Sequence, residues 1–129
     1  MREQIQQYLQ KAHQVLNTGQ LALEHGDYIT AVNRAYYAVF YAANALLATK
    51  GLERSKHSGV LASFREHFVK TGVIEAEYSD FYGAIMDERT EGDYAAGAFL
   101  DEETARQALR RARRFVVRIE QALQEVGEG

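Results

Sequence analysis

The chain has 129 residues, of which 47% are hydrophobic and 26% charged, with a net charge of −3. This length and composition fit a single globular domain with a real core, and they exclude a disordered chain. Cysteine is absent, which excludes disulfides, iron–sulfur clusters and thiolate zinc sites. No apolar run approaches the roughly 20 residues of a membrane span, and the polar start does not resemble a signal peptide, so we expect a cytoplasmic protein with no membrane contact.

Apolar residues recur at helical spacing along the whole chain, and no segment alternates as a strand does. The spacing predicts four long helices and one shorter helix, over about 2–24, 28–50, 57–70, 75–91 and 101–126. Glycines separate the segments, and we expect Gly26 to end the first helix and Asp27 to cap the second. The stretch Gly92–Leu100 is predicted as a loop. The fold class is therefore all-α, an up-and-down helical bundle formed by a single domain over residues 1–129.

The second predicted helix is apolar on nearly every side. Such a helix must be buried on most of its surface, so it is predicted to be the central element of the bundle or to lie in a dimer interface. Its alanines allow neighbouring helices to approach closely, while its aromatic residues supply volume.

The run from Asn33 to Ala43, NRAYYAVFYAA, resembles the signature of the HEPN domain family. Further matches follow in the expected order: His57-Ser58, Phe64, Phe68-Val69, Gly72, Arg89 and Gly92-Asp93-Tyr94. The resemblance implies a helical bundle that forms a homodimer and that works with nucleotides and RNA. It also implies a partner, because HEPN proteins are often encoded beside a minimal nucleotidyltransferase as a toxin–antitoxin pair.

Many HEPN domains are metal-independent ribonucleases that carry an Arg-x(4–6)-His motif in the dimer cleft. Counted from Arg89, the histidine would stand at position 94, 95 or 96, and these read Tyr94, Ala95 and Ala96. Tyrosine, with a reference pKa of about 10, is a poor general base at neutral pH. The resemblance therefore favours a nucleotide- or RNA-binding regulatory protein without a cofactor.

Two other functions remain open. An atypical endoribonuclease toxin would use Arg89, Tyr94 and His57 as candidate catalytic residues, with a base at the ribose hydroxyl and a cation at the phosphate. Alternatively, the Tyr94 hydroxyl could accept a nucleotidyl group from the partner. His57 also opens a helix, where it either caps the chain or helps to hold an anion. The histidine spacing fits no metal site.

Five residues are candidates for binding a nucleotide phosphate: Arg34, Tyr37, Arg89, Asp93 and Tyr94. Arg34 and Tyr37 share one helix face, and a charge in so apolar a helix is costly to bury without a partner. Arg34 could face a cleft and bind phosphate, or it could pair internally with Asp93 or Asp87. We expect the guanidinium groups of Arg34 and Arg89 to converge on a groove in the dimer.

The fifth helix carries an arginine stripe opposite its apolar face. At about 100° per residue, the six arginines fall within one arc of roughly 160°. They are Arg106, Arg110, Arg111, Arg113, Arg114 and Arg118. The stripe is either an ordinary solvated face, balanced by glutamates of the acidic middle segment, or a surface for an RNA backbone or another anion, formed mainly by Arg106, Arg110, Arg113 and Arg114.

Overall fold

The computed structural model describes residues 2–53, 57–94 and 100–126, and the side chains of all of these except 57–58 and 91–94. The elements in chain order are α1 (Arg2–Glu24), α2 (Tyr28–Ala48), α3 (His57–Phe64), a π-helical turn (Arg65–Val69), α4 (Ala76–Tyr94) and α5 (Glu102–Glu125). The predicted all-α bundle of four long helices and one shorter helix is confirmed. No helix in the described ranges is both long and apolar enough to cross a bilayer.

Helix α2 is the centre of the bundle and packs against α1, α3, α4 and α5. From Ala31 to Ala48, every side chain is buried except four: Asn33, Arg34, Tyr37 and Tyr41. Asn33 and Arg34 are adjacent, Tyr37 lies four and three residues beyond them, and Tyr41 follows after four more, so the four lie along one face of the helix. We call this face the α2 stripe. The prediction that this helix is buried on most sides is confirmed.

Close packing between α1, α2 and α5 depends on Gly19 in the middle of α1. A Cβ atom at this position would lie 2.8 Å from Cδ2 of Leu109 and 3.1 Å from Cβ of Arg34. Since Leu109 is fully buried, it has little room to move away. Gly19 therefore sets how closely the three helices approach.

The predicted boundary between the first two helices is confirmed. Gly26 has a φ of +77°, a left-handed conformation that favours glycine. The Asp27 side chain accepts a hydrogen bond of 3.1 Å from the backbone N–H of Thr30, which satisfies one of the free donors at the start of α2. Asp101 caps α5 in the same way through the N–H of Thr104, at 2.8 Å.

Two predicted segments differ from the structure. The predicted loop Gly92–Leu100 is wrong at its start, because α4 continues to Tyr94; residues 95–99 lie outside the described ranges. An interior glycine costs a helix only about 1 kcal/mol, so Gly92 alone does not stop α4.

The third predicted helix ends in a π-helical turn, where the N–H of Lys70 donates to the carbonyl of Arg65 at 2.9 Å. The sequence did not predict this turn, because apolar spacing over five residues does not distinguish it from an α-helix.

The two helical glycines Gly19 and Gly83 should respond oppositely to alanine. A Cβ atom at Gly83 would meet only Nη2 at the end of the long, exposed Arg65 side chain, at 3.3 Å, so Gly83→Ala should raise the free energy of unfolding by about 0.5–1 kcal/mol. Gly19→Ala should lower it by about 1 kcal/mol or more, because overpacking a tight core outweighs the gain in helix propensity. Urea denaturation of both variants measures the difference, and a stabilised Gly19→Ala would contradict the packing described above.

Candidate functional site

Two guanidinium groups, from α2 and α4, lie over the same tyrosine ring. Cζ of Arg34 is 5.0 Å from the ring centre of Tyr37, and Cζ of Arg89 is 5.7 Å from it. Arg89 also lies 4.8 Å from the ring centre of Tyr36. These are cation–π distances, at which the electron-rich ring face attracts the positive charge. The fold thus brings Arg34, Tyr37 and Arg89 together within one chain, while the groove in a dimer on which the two arginines were expected to converge stays a prediction.

Arg34 is held by its own neighbour in the chain. Its Nε and Nη2 atoms both donate to Oδ1 of Asn33, the former at 3.0 Å. Asp87 is exposed, and the suggested pair between Arg34 and Asp87 is not formed. Asn33 accepts from two of the five N–H donors of the guanidinium group and, as a neutral amide, carries no charge that could offset the cation. The other suggested partner, Asp93, has a side chain outside those the structure describes.

Two buried tyrosines beside Arg89, Tyr36 and Tyr82, stay neutral. Burial raises the pKa of Tyr36 to about 12, even though the cation of Arg89 acts to lower it. Burial also raises the pKa of Tyr82 well above the ordinary value, and the Tyr36 and Tyr82 rings meet edge to face with centres 6.2 Å apart. At neutral pH both tyrosine hydroxyls therefore keep their protons, and the ring of Tyr36 presents its neutral, polarizable face to Arg89.

The cluster extends along α2 to Tyr41, which helical spacing places on the face of Arg34 and Tyr37 but to which the sequence analysis gave no role. Tyr41 is half-buried, its ring centre lies 6.0 Å from that of Tyr37, and Nζ of Lys11 lies 5.6 Å from the ring of Tyr41. Tyr41 falls within the run that resembles the HEPN signature, one turn beyond Tyr37, and this spacing was the available signal. Nothing in the sequence linked Lys11 of α1 to it.

The remaining candidates lie at the ends of helices. Asp93 and Tyr94 belong to the last turn of α4, and His57 is the first residue of α3. Their side chains fall outside those the structure describes. Elsewhere in the described ranges, His, Asp and Glu side chains do not form a group of three that could hold a metal ion.

The arginines of α5 are largely engaged with neighbouring side chains. The apolar face opposite them is buried, from Ala105 to Leu123. Arg106 forms an ion pair with Glu102 at 2.6 Å, and Arg113 donates a hydrogen bond to Gln20 at 2.8 Å. The guanidinium group of Arg114 lies 3.7 Å from the carboxylate of Glu77 and over the ring of Phe81. Arg110 is exposed and has no ion pair with any described residue.

Two shallow grooves, of about 290 and 220 Å³, flank the exposed Val117 on this side, and Arg113 lines both of them.

Arg118 does not face away from the bundle, so the prediction of six outward arginines is wrong at this position. Its side chain is only 13% exposed, and Nε lies 2.8 Å from Oε1 of Glu75. Nη2 also donates to the carbonyl of Val73 at 3.0 Å. Arg118 thus joins α5 to the segment that precedes α4, a contact that helical spacing alone does not reveal.

Comparison with known proteins places the chain in a family. The HEPN domain matches residues 5–122, nearly the whole chain. The chain belongs to the HEPN domain family. A UPF0332 protein of Thermotoga maritima is 39% identical over 95% of this chain and 92% of its own. A Methanocaldococcus jannaschii protein named "Putative toxin MJ0605" is 38% identical over 98% of this chain and 93% of its own.

The fold of this HEPN protein also has a solved counterpart. The crystal structure of TT1696 from Thermus thermophilus superposes with a TM-score of 0.78, covering 92% of this chain and 98% of that chain. The two sequences are 20% identical, so this likeness concerns the fold. The resemblance inferred from the run Asn33–Ala43 is confirmed as a family membership.

The contact between Arg118 and Glu75 should appear in the pH dependence of stability. The hydrogen bond from Arg118 lowers the pKa of Glu75, so its stabilisation is present above the unfolded pKa of about 4.3 and is lost as the pH falls through the lower folded value. Arg118→Ala should reduce the free energy of unfolding by about 1–2 kcal/mol at neutral pH, a modest loss because Glu75 is exposed and solvent screens its charge.

Urea denaturation at neutral pH and below about pH 4 tests this expectation, and the deficit of Arg118→Ala should narrow in acid. Arg110→Ala, at an exposed position on the same helix, is the matched control and should change stability by less than about 0.5 kcal/mol. A deficit that stays constant with pH would show that Glu75 is not the partner that matters.

Proposed function

We propose that this HEPN protein is a nucleotide- and RNA-binding regulatory protein, a homodimer that forms a toxin–antitoxin-like pair with a nucleotidyltransferase. The observation that carries the proposal is the convergence of Arg34 and Arg89 on the ring of Tyr37. Membership of the HEPN family and the two relatives named as toxins support the toxin–antitoxin part of the proposal.

The chemistry of this cluster suits a nucleotide. Guanidinium groups bind phosphate oxygens through paired N–H donors, and a tyrosine ring offers a face to a base. Arg34 has no ion pair with a described carboxylate, so its charge is left for an incoming anion. Both arginines are partly buried, and the lower local dielectric strengthens their attraction for phosphate.

In the proposed dimer, two copies of the cluster would line one groove. Helix α2 reaches the surface through the α2 stripe alone between Ala31 and Ala48, so a groove beside this stripe would gather Arg34 and Arg89 from both protomers. Light scattering should give a mass of twice the 14.6 kDa chain.

The arginines of α5 would contribute to RNA binding in a secondary way. Arg106, Arg113 and Arg114 already have neighbours in Glu102, Gln20 and Glu77, which reduces the charge they present. Arg110 is exposed and would supply a salt-dependent contact to an RNA backbone.

Binding of ATP and of a labelled single-stranded RNA tests the proposal directly. Arg89→Ala and Arg34→Gln should each weaken both ligands by about tenfold or more, since a charge-assisted hydrogen bond contributes about 1.5–3 kcal/mol. Arg110→Gln is the matched control: it should leave ATP binding unchanged and reduce only the salt dependence of RNA binding.

Failure to bind either ligand would contradict the proposal. If the wild-type dimer binds neither ligand, alone or with the nucleotidyltransferase partner, the proposal is wrong.

The toxin names of two relatives favour one second candidate function, an endoribonuclease that uses Arg89 with Tyr94 and His57. RNA cleavage that is lost in Arg89→Ala would support that function, whereas cleavage that survives the substitution would indicate a contaminant.

A further inference from the structure

The cation–aromatic cluster does not end at Tyr37. The half-buried Tyr41 lies one helical turn further along the α2 stripe, its ring 6.0 Å from that of Tyr37. From the neighbouring helix α1, the exposed Lys11 reaches to 5.6 Å from the Tyr41 ring. A second aromatic ring with its own cation therefore follows the first along the same helix face.

The length of this arrangement exceeds a single nucleotide. Arg34 and Tyr41 are seven positions apart, which corresponds to about 10 Å along the helix axis. Successive nucleotides in a stacked strand are about 3.4 Å apart, so the α2 stripe spans about three of them. A row of rings accompanied by cations is the arrangement with which proteins bind single strands, because the rings stack on bases and the cations follow the backbone.

The charges favour an anionic ligand over a second copy of this chain on this face. Neither Lys11 nor Arg34 forms an ion pair with any residue that the structure describes, so both charges are left for an external anion. In a symmetric contact seated directly on the stripe, each copy would bring Lys11, Arg34 and Arg89 towards the same cations of the other copy. Like charges at such a contact are unfavourable.

We propose that Tyr41 and Lys11 form a second nucleotide subsite beside Arg34, Tyr37 and Arg89, so that the ligand of the α2 stripe is single-stranded RNA of two or more nucleotides. This inference rests on the proposed function and extends it: the arginine pair binds one phosphate, and Tyr41 stacks on a neighbouring base while Lys11 meets the backbone. The subsite therefore acts on an oligomer and not on a mononucleotide.

Affinity for hexauridylate and for ATP, measured on the same variants, tests the subsite. Tyr41→Leu keeps an apolar side chain for packing but removes the ring. It should weaken hexauridylate binding by about 5- to 100-fold, the effect of losing one stacked base, and leave ATP binding unchanged. Tyr41→Phe keeps the ring and should bind hexauridylate like the wild type. Thermal melting of each variant checks that the fold is retained.

Salt dependence tests the role of Lys11. Lys11→Gln should reduce the slope of log affinity against log salt by about 0.7 for hexauridylate, as expected for the loss of one phosphate contact with a single strand. Lys70→Gln, at an exposed lysine beyond the π-helical turn, is the matched control and should leave the slope unchanged.

Three outcomes would overturn the inference. The first is hexauridylate binding to Tyr41→Leu at wild-type affinity, and the second is an equal loss of ATP and hexauridylate in that variant, which would indicate a purely structural effect. The third is equal or tighter binding of a duplex RNA or of a hexadeoxy oligomer. If Arg89→Ala still abolishes ATP binding in any of these cases, the proposed function stands without the subsite. If the wild type binds neither ligand, both fail.

Discussion

The burial of α2 is the constraint on which the site depends. A helix enclosed by four neighbours reaches the surface along one narrow face, so any charged residue in it must lie on that face or be buried at high cost. Arg34 is the one charged residue between Ala31 and Ala48, and it lies on the α2 stripe. The same packing puts Tyr36 against α4, whose Arg89 lies over its ring. The core thus fixes the positions of both cations, and Gly19 allows α1 to pack closely against Arg34.

The two sets of arginines are stabilised by different means, and this difference separates their roles. On α5, carboxylates partner Arg106, Arg114 and Arg118, which neutralises much of the charge and joins elements of the bundle. At the α2 stripe, ring faces and the Asn33 amide hold the guanidinium groups. A ring and an amide stabilise a cation without cancelling its charge, so the contacts given for Arg34 leave its charge in place, whereas carboxylates neutralise most of the arginine charge on α5.

The sequence predicts the fold well because the features that determine it are local. Apolar spacing, the glycine at position 26 and the cap Asp27 lie within a few residues of the boundary that they define, and the structure confirms them. The end of α4 and the π-helical turn were not predictable, since tertiary packing decides them. At the site, family resemblance singled out the characteristic residues of α2 and α4, but Lys11 and Arg118 acquire their partners from the assembled bundle, which no spacing along the chain encodes.

The protonation states around Arg89 bear on binding versus catalysis. A ribonuclease needs a group that takes a proton from the ribose hydroxyl. Burial raises the pKa of Tyr36 to about 12 and that of Tyr82 well above its ordinary value, and a guanidinium group does not act as a base at neutral pH. These side chains can hold a phosphate and stabilise its charge, but they cannot begin proton transfer. For the cluster to cleave RNA, a base must come from another group, such as His57 or Tyr94. The tyrosine would additionally need its pKa lowered by about three units to be ionised at neutral pH. The side chains that the structure describes at this cluster therefore supply no general base, which favours the proposed binding function over catalysis.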